Sequence, residues 1–147
     1  MLAAHDFISC KKEDEVKPKP KTKAKLLTAK SWRISGASFS DSQGSQEVFS
    51  LFDACSKDDI LRFSADKTVV FDEGPARCDP SAPQTTKGAW DLTSNESKLI
   101  VQETANSSQG SLYDVTELTE NKLSLRQSDV DQSTNTTYTI TLTYSAF

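Results

Sequence analysis

Residues 55–92 read C-S-K-D-D-I-L-R-F-S-A-D-K-T-V-V-F-D-E-G-P-A-R-C-D-P-S-A-P-Q-T-T-K-G-A-W-D-L, and apolar residues alternate inside this stretch. Two short apolar runs, 60–63 and 68–71, flank the polar break Ser64-Ala65-Asp66-Lys67. Leu61 and Phe63 share one face of the first run, and Val69 and Phe71 share one face of the second. Period two belongs to strands, because successive side chains of an extended chain point to opposite sides. A break this short joins antiparallel neighbours, so the stretch predicts a β-hairpin. Cys55 precedes the break by about as many residues as Cys78 follows it, which brings the two sulfurs together at the open end of the hairpin. The expected Cys55–Cys78 disulfide contributes roughly 3 kcal/mol if it acts through the entropy of the unfolded chain.

The same alternation continues towards the C-terminus. Strands are expected at 87–93 (Trp90 and Leu92 on one face), 98–104 (Leu99, Val101), 111–118 (Tyr113, Val115) and 122–127 (Leu123, Leu125). Residues 128–135 are polar and read as a loop. The clearest pattern is 136–144, where Tyr138, Ile140, Leu142 and Tyr144 alternate with Thr without a miss. Towards the N-terminus, Trp32 and Ile34 share a face of a first strand at 31–38. In 46–54, Val48, Leu51 and Phe52 fall at i, i+3 and i+4, the stripe of a short helix that can plug one end of a barrel. Short turns between successive strands make sequence neighbours spatial neighbours. The expected fold is all-β: about eight strands in an up-and-down antiparallel barrel with one short helix, closed so that its Thr-rich strands leave no free edge.

Composition agrees with a sheet that is wet on one face. The chain has 147 residues, and its apolar share, 35%, is lean for a structure buried on both sides. Residues 1–30 carry eight Lys against four acids, and since the whole chain is −4, the remainder is −8. An acidic folded part argues against binding a nucleic-acid backbone. No apolar run is long enough to span a bilayer as a helix.

The basic excess lies in 1–29, which reads as a separate unit from a domain at 30–147. Residues 16–30 form a Lys/Pro spacer, extended by Pro18 and Pro20 and by like charges. Before it, Phe7-Ile8-Ser9-Cys10 resembles a lipobox, followed by the polar run Lys11-Lys12-Glu13-Asp14-Glu15. The basic segment that should precede it is missing, which suggests a truncated or misassigned start. Lipidation of Cys10 would explain the odd cysteine and fits the oxidising compartment that a disulfide requires.

Little in the domain points to catalysis. The single histidine, His5, lies in the tail, so neither a Ser/His/Asp nor a Cys/His arrangement can form in the barrel. The cysteines lack partners at zinc spacing, and no Gly-rich phosphate loop is present, so no metal or cofactor is expected. Asp58-Asp59 and Asp72-Glu73 flank the hairpin. Two carboxylate pairs can bind Ca²⁺ or exchange protons, or they can simply cap strand ends in water. Trp32 and Trp90 suit either a ligand stack or the packed floor of a barrel.

With these residues in view, the chain resembles the small lipocalin-like domains of secreted bacterial lipoproteins, which are calycin-like barrels. The resemblance rests on Trp32, on D-A-C-S-K-D-D at 53–59, on F-S-A-D-K-T at 63–68 and on C-D-P-S-A-P-Q-T at 78–85. It extends to G-A-W-D-L at 88–92, Y-D-V-T-E-L-T at 113–119 and L-S-L at 123–125. It covers about residues 28–147. Lys67 departs from it, standing where the family usually has a glycine, and a lysine at positive φ costs about 1 kcal/mol. The resemblance implies the barrel and the Cys55–Cys78 bridge, but no particular activity.

Two functional readings follow, neither of them enzymatic. In the first, the chain is a monomeric, lipid-anchored binding module outside the cytoplasm, at the outer membrane or surface of a Gram-negative cell. It holds a small hydrophobic ligand within Phe63, Val69, Phe71, Trp90, Leu99, Tyr113, Leu125, Tyr138, Ile140 and Leu142. In the second, the barrel is filled and the protein acts through its loops, as an inhibitor or envelope component.

Overall fold

The computed structural model describes residues 16–103 and 110–147. One helix, α1 (Lys23–Ala29), precedes nine strands: β1 (Ser31–Asp41), β2 (Gly44–Glu47), β3 (Ile60–Phe63), β4 (Thr68–Asp72), β5 (Thr85–Thr93), β6 (Lys98–Gln102), β7 (Ser111–Leu118), β8 (Lys122–Asp131) and β9 (Thr136–Ala146). The central hairpin forms where the alternation places it, with Leu61 opposite Phe71 and Phe63 opposite Val69. Its turn is fixed by backbone bonds from Ser64 N to Thr68 O (2.9 Å) and from Lys67 N to Ser64 O (3.0 Å). The Asp66 carboxylate accepts from Thr68 N at 2.9 Å. Lys67 adopts φ 71°, the left-handed conformation that favours glycine. Two contacts offset that strain: its ammonium lies 4.3 Å above the Trp90 ring and bonds Asp91 at 2.9 Å.

Each strand from β3 to β9 pairs antiparallel with the next, and β1 pairs with both β3 and β9. That circuit is a closed eight-stranded barrel. The β1–β9 seam runs from Trp32 opposite Ala146 to Ser40 opposite Thr139. Along its other edge, β1 meets β3 over residues 31–33 and then β2 over 38–41. β2 therefore extends the rim instead of joining the circuit. At Gly88 a Cβ would stand 2.1 Å from the carbonyl oxygen of Gln102, so β5 and β6 approach each other as closely as they do because this residue has no side chain.

One end of the barrel is solid. Trp32, Leu27, Leu99, Leu123 and Val69 are fully buried there. Phe63 meets Trp90 edge to face at 5.6 Å, a geometry worth about 1 kcal/mol beyond the area it buries. The Trp90 indole donates to Ser64 O (3.0 Å) and that of Trp32 to Leu27 O (2.9 Å), so neither buried N–H lacks a partner.

The helix closing this end is α1, and its position corrects the sequence reading. Residues 46–54, read as the plug helix, instead finish β2 and form a 3₁₀ turn at Phe49–Leu51, with another at Ala54–Ser56. Leu51 is 78% exposed, so its place in an apolar stripe was coincidental. Residues 23–29, read as extended spacer, are helical: Thr22 caps them by accepting from Lys25 N, and Leu27 and Ala24 pack onto the core. A second correction concerns 128–135. β8 continues to Asp131, paired with Thr136 of β9, and its residues are polar because both faces there are exposed.

Candidate functional site

The opposite end is hollow. A cavity of about 520 Å³ opens there, and its apolar wall comes from Ile34, Leu61, Phe71, Val101, Leu125 and Leu142. Tyr113 and Tyr144 add phenol rings, and Asp59, Asp72, Glu73 and Glu103 supply carboxylates. The described lining contains no Lys, Arg or His.

The mouth is shaped by the disulfide. Cys55 and Cys78 are bonded with Cα atoms 5.1 Å apart, tying the 3₁₀ segment before β3 to the loop after β4. That loop is further held by carboxylates. Asp58 accepts from Ala76 N at 2.8 Å, and Asp72 accepts from Gly74 N at 2.9 Å and from Gln84 Nε2 at 2.8 Å. Gly74 has φ 67°, and a Cβ on it would stand 2.4 Å from the Asp58 carbonyl oxygen, so no other residue fits this lip without a shift.

These carboxylates differ in their chemistry. The Arg62 guanidinium, 2.7 Å from Asp72, together with the Gln84 amide and Gly74 N–H, draws the Asp72 carboxyl down to about 2. Asp59 behaves in the opposite way: desolvation at the mouth, with the charges of Asp58, Glu73 and Asp72, pushes its carboxyl up to about 6. Burial also raises the Tyr144 phenol, with smaller contributions from Tyr113, Asp59 and Glu103. Among the described residues, Glu73 Oε2 is buried without a hydrogen-bond partner.

The ten residues expected to line a ligand are divided between the two ends. Phe71, Tyr113, Leu125 and Leu142 lie on the cavity wall. Phe63, Val69, Trp90 and Leu99 are buried in the core, away from that wall. Tyr138 stacks on Phe39 with ring centroids 5.7 Å apart, and Ile140 is 37% exposed; both stand on the rim where β9, β1 and β2 run past the circuit. Leu61, Val101 and Tyr144 share the same alternation and complete the wall. Asp59 and Glu73 were read only as members of the two carboxylate pairs Asp58-Asp59 and Asp72-Glu73; their convergence on a cavity follows from the hairpin's open end being the barrel's open end. Cys10 and His5 lie outside the described residues.

Among the described residues, no group of three or more His, Cys, Asp or Glu is arranged to hold a metal ion. Asp59 can exchange a proton, and among the described residues the wall offers no cationic side chain to polarise a bound substrate.

A family model described as a lipocalin-like domain matches residues 28–125, more than half of the chain. This chain belongs to the lipocalin-like domain family. The match runs from the last turn of α1 through β8 as far as Leu125, and β9 closes the circuit beyond it. No curated protein matches the chain. Within a lipocalin-like barrel, a packed floor below and an open cup above is an arrangement suited to small-ligand binding.

Proposed function

We propose that this lipocalin-like domain is a non-enzymatic binding module that takes a small apolar molecule into the open end of its barrel. The observation that carries this reading is the 520 Å³ cavity, walled by aliphatic and aromatic side chains with a few polar groups at its mouth. An eight-stranded barrel has room either for side chains or for one small ligand. Here side chains fill one half and leave the other open. A filled barrel acting through its loops fits the packed end but not the hollow one.

Calorimetric titration of the full chain with decanol tests the proposal. Saturable one-to-one binding with a negative heat-capacity change is expected, and it should be lost in Leu142→Trp, whose indole would occupy the cavity. Absence of binding by the unsubstituted chain overturns the reading. The further proposal is that lipidated Cys10 tethers the domain to the outer membrane or surface of a Gram-negative cell, with the Lys/Pro stretch as spacer. The mass of the intact protein from cells tests it, and an unmodified Cys10 would rule it out.

A further inference from the structure

We infer that the molecule held in this cavity is a cationic amphiphile, an apolar body carrying an amine, with its charged head between the carboxylates of Asp59 and Glu73 and the hydroxyl of Tyr144. This rests on the ligand-binding reading above and specifies its chemistry.

Three observations support it. First, the polar part of the wall has one sign of charge. Four carboxylates line the cavity and no described cation does, although Arg62, outside the lining, engages Asp72. Second, two groups have unused hydrogen-bonding capacity. Glu73 Oε2 is buried and accepts no hydrogen bond from the described residues. Tyr144 is 9% exposed and lies on the wall, and none of the described residues hydrogen-bonds its hydroxyl. A buried polar atom left unpaired is costly, and an ammonium has up to three N–H donors to supply at one point. Third, the charges that reach Asp59 from its surroundings, those of Asp58, Glu73 and Asp72, are all negative. Desolvation, and then these charges, hold its proton on at an unusually high pH, and a bound cation would relieve the repulsion. An anionic head, such as a fatty acid's carboxylate, would increase it. A neutral alcohol would satisfy one hydrogen bond and leave the charge unbalanced.

Decylamine, decanol and decanoate share one chain length and differ in head group, so they separate the apolar contribution from the charged one. Each is titrated calorimetrically into the full chain at pH 7.5 and at pH 4.5; decylamine stays protonated at both. At pH 7.5 decylamine should bind at least tenfold more tightly than decanol, and decanoate most weakly. At pH 4.5, with Asp59 protonated, the preference for amine over alcohol should shrink severalfold. Glu73→Gln should narrow it as well, and Asp59→Asn/Glu73→Gln should abolish it, by weakening decylamine binding severalfold more than decanol binding in both variants. If decanol binds but decylamine shows no advantage, or decanoate binds best, the cationic assignment is wrong and the apolar site stands. If none of the three binds, the binding reading itself falls.

Discussion

Replacing both bridge cysteines, Cys55→Ser/Cys78→Ser, should destabilise the domain by roughly 3 kcal/mol. The bridged residues are 23 apart in sequence, and for a loop of that size the entropy removed from the unfolded chain corresponds to about 3 kcal/mol at 25 °C. The serines add little of their own, since Cys55 is only partly buried and Cys78 is exposed. Urea unfolding followed by tryptophan fluorescence reads the loss well. Trp32 and Trp90 both lie in the core, away from the bridge, so the folded-state signal should be the same in both proteins. With a slope of about 1–3 kcal/mol per molar urea, the midpoint should fall by about 1–3 M. A reducing agent should lower the unsubstituted protein by the same amount and leave the double variant unmoved. The bridge also positions the segment carrying Asp59, so decanol binding should weaken along with stability. A midpoint shift below about 0.3 M, or an equal response of the double variant to reductant, would mean that the bridge contributes little to stability.

Lys67 offers a test of the turn: Lys67→Ala should lose about 1 kcal/mol through its contacts with Trp90 and Asp91, and Lys67→Gly should be about 1 kcal/mol more stable than Lys67→Ala because φ there is 71°. Equal urea midpoints for the two variants would place the residue outside the left-handed region. Because the Asp59 carboxyl is raised to about 6 from an ordinary 3.8, the folded state holds its proton longer than the unfolded chain, and stability from this group falls as pH rises from 4 through 6. Asp59→Asn should therefore stabilise the domain at pH 7, by on the order of 1 kcal/mol after allowing for solvent screening, and have little effect at pH 3.5; urea midpoints at the two pH values check this. Asp72 has the opposite sign. Its carboxyl is lowered to about 2, so its contribution, about 1 kcal/mol once the exposure of Arg62 is discounted, is complete above pH 4 and lost as pH falls towards 2. The loss on Asp72→Asn, measured by the same midpoints, should accordingly be larger at pH 7 than at pH 2.5.

The barrel was legible because a strand with one buried face repeats every two residues, and that pattern survives in 60–72 and 136–144 whatever the surroundings. The bridge was legible because hairpin geometry pairs positions equidistant from a turn. The plug helix was misplaced because short helices carry weak signals. In 46–54 three apolar residues happened to fit a stripe, whereas in 23–29 the Thr22 cap and the Ala24–Leu27 spacing were overshadowed by lysines and prolines. The outer half of β8 was missed because it is exposed on both faces, so nothing in its sequence alternates. Period two showed which side chains point inwards, but not which end of the barrel they fill. That is why Trp90 and Leu142 were placed together on one ligand wall. Register and closure separate them, putting the bulky rings of one half against α1 and leaving the other half open.

One barrel hosts both a solid floor and a hollow cup. Methyl-resolved NMR of the full chain during titration with decanol distinguishes the two halves. Methyl signals of Ile34, Val101, Leu125 and Leu142 should move together and saturate, while those of Leu27, Val69 and Leu123 stay in place. Movement of the floor methyls in place of the cup methyls, or no movement of either, would contradict the account.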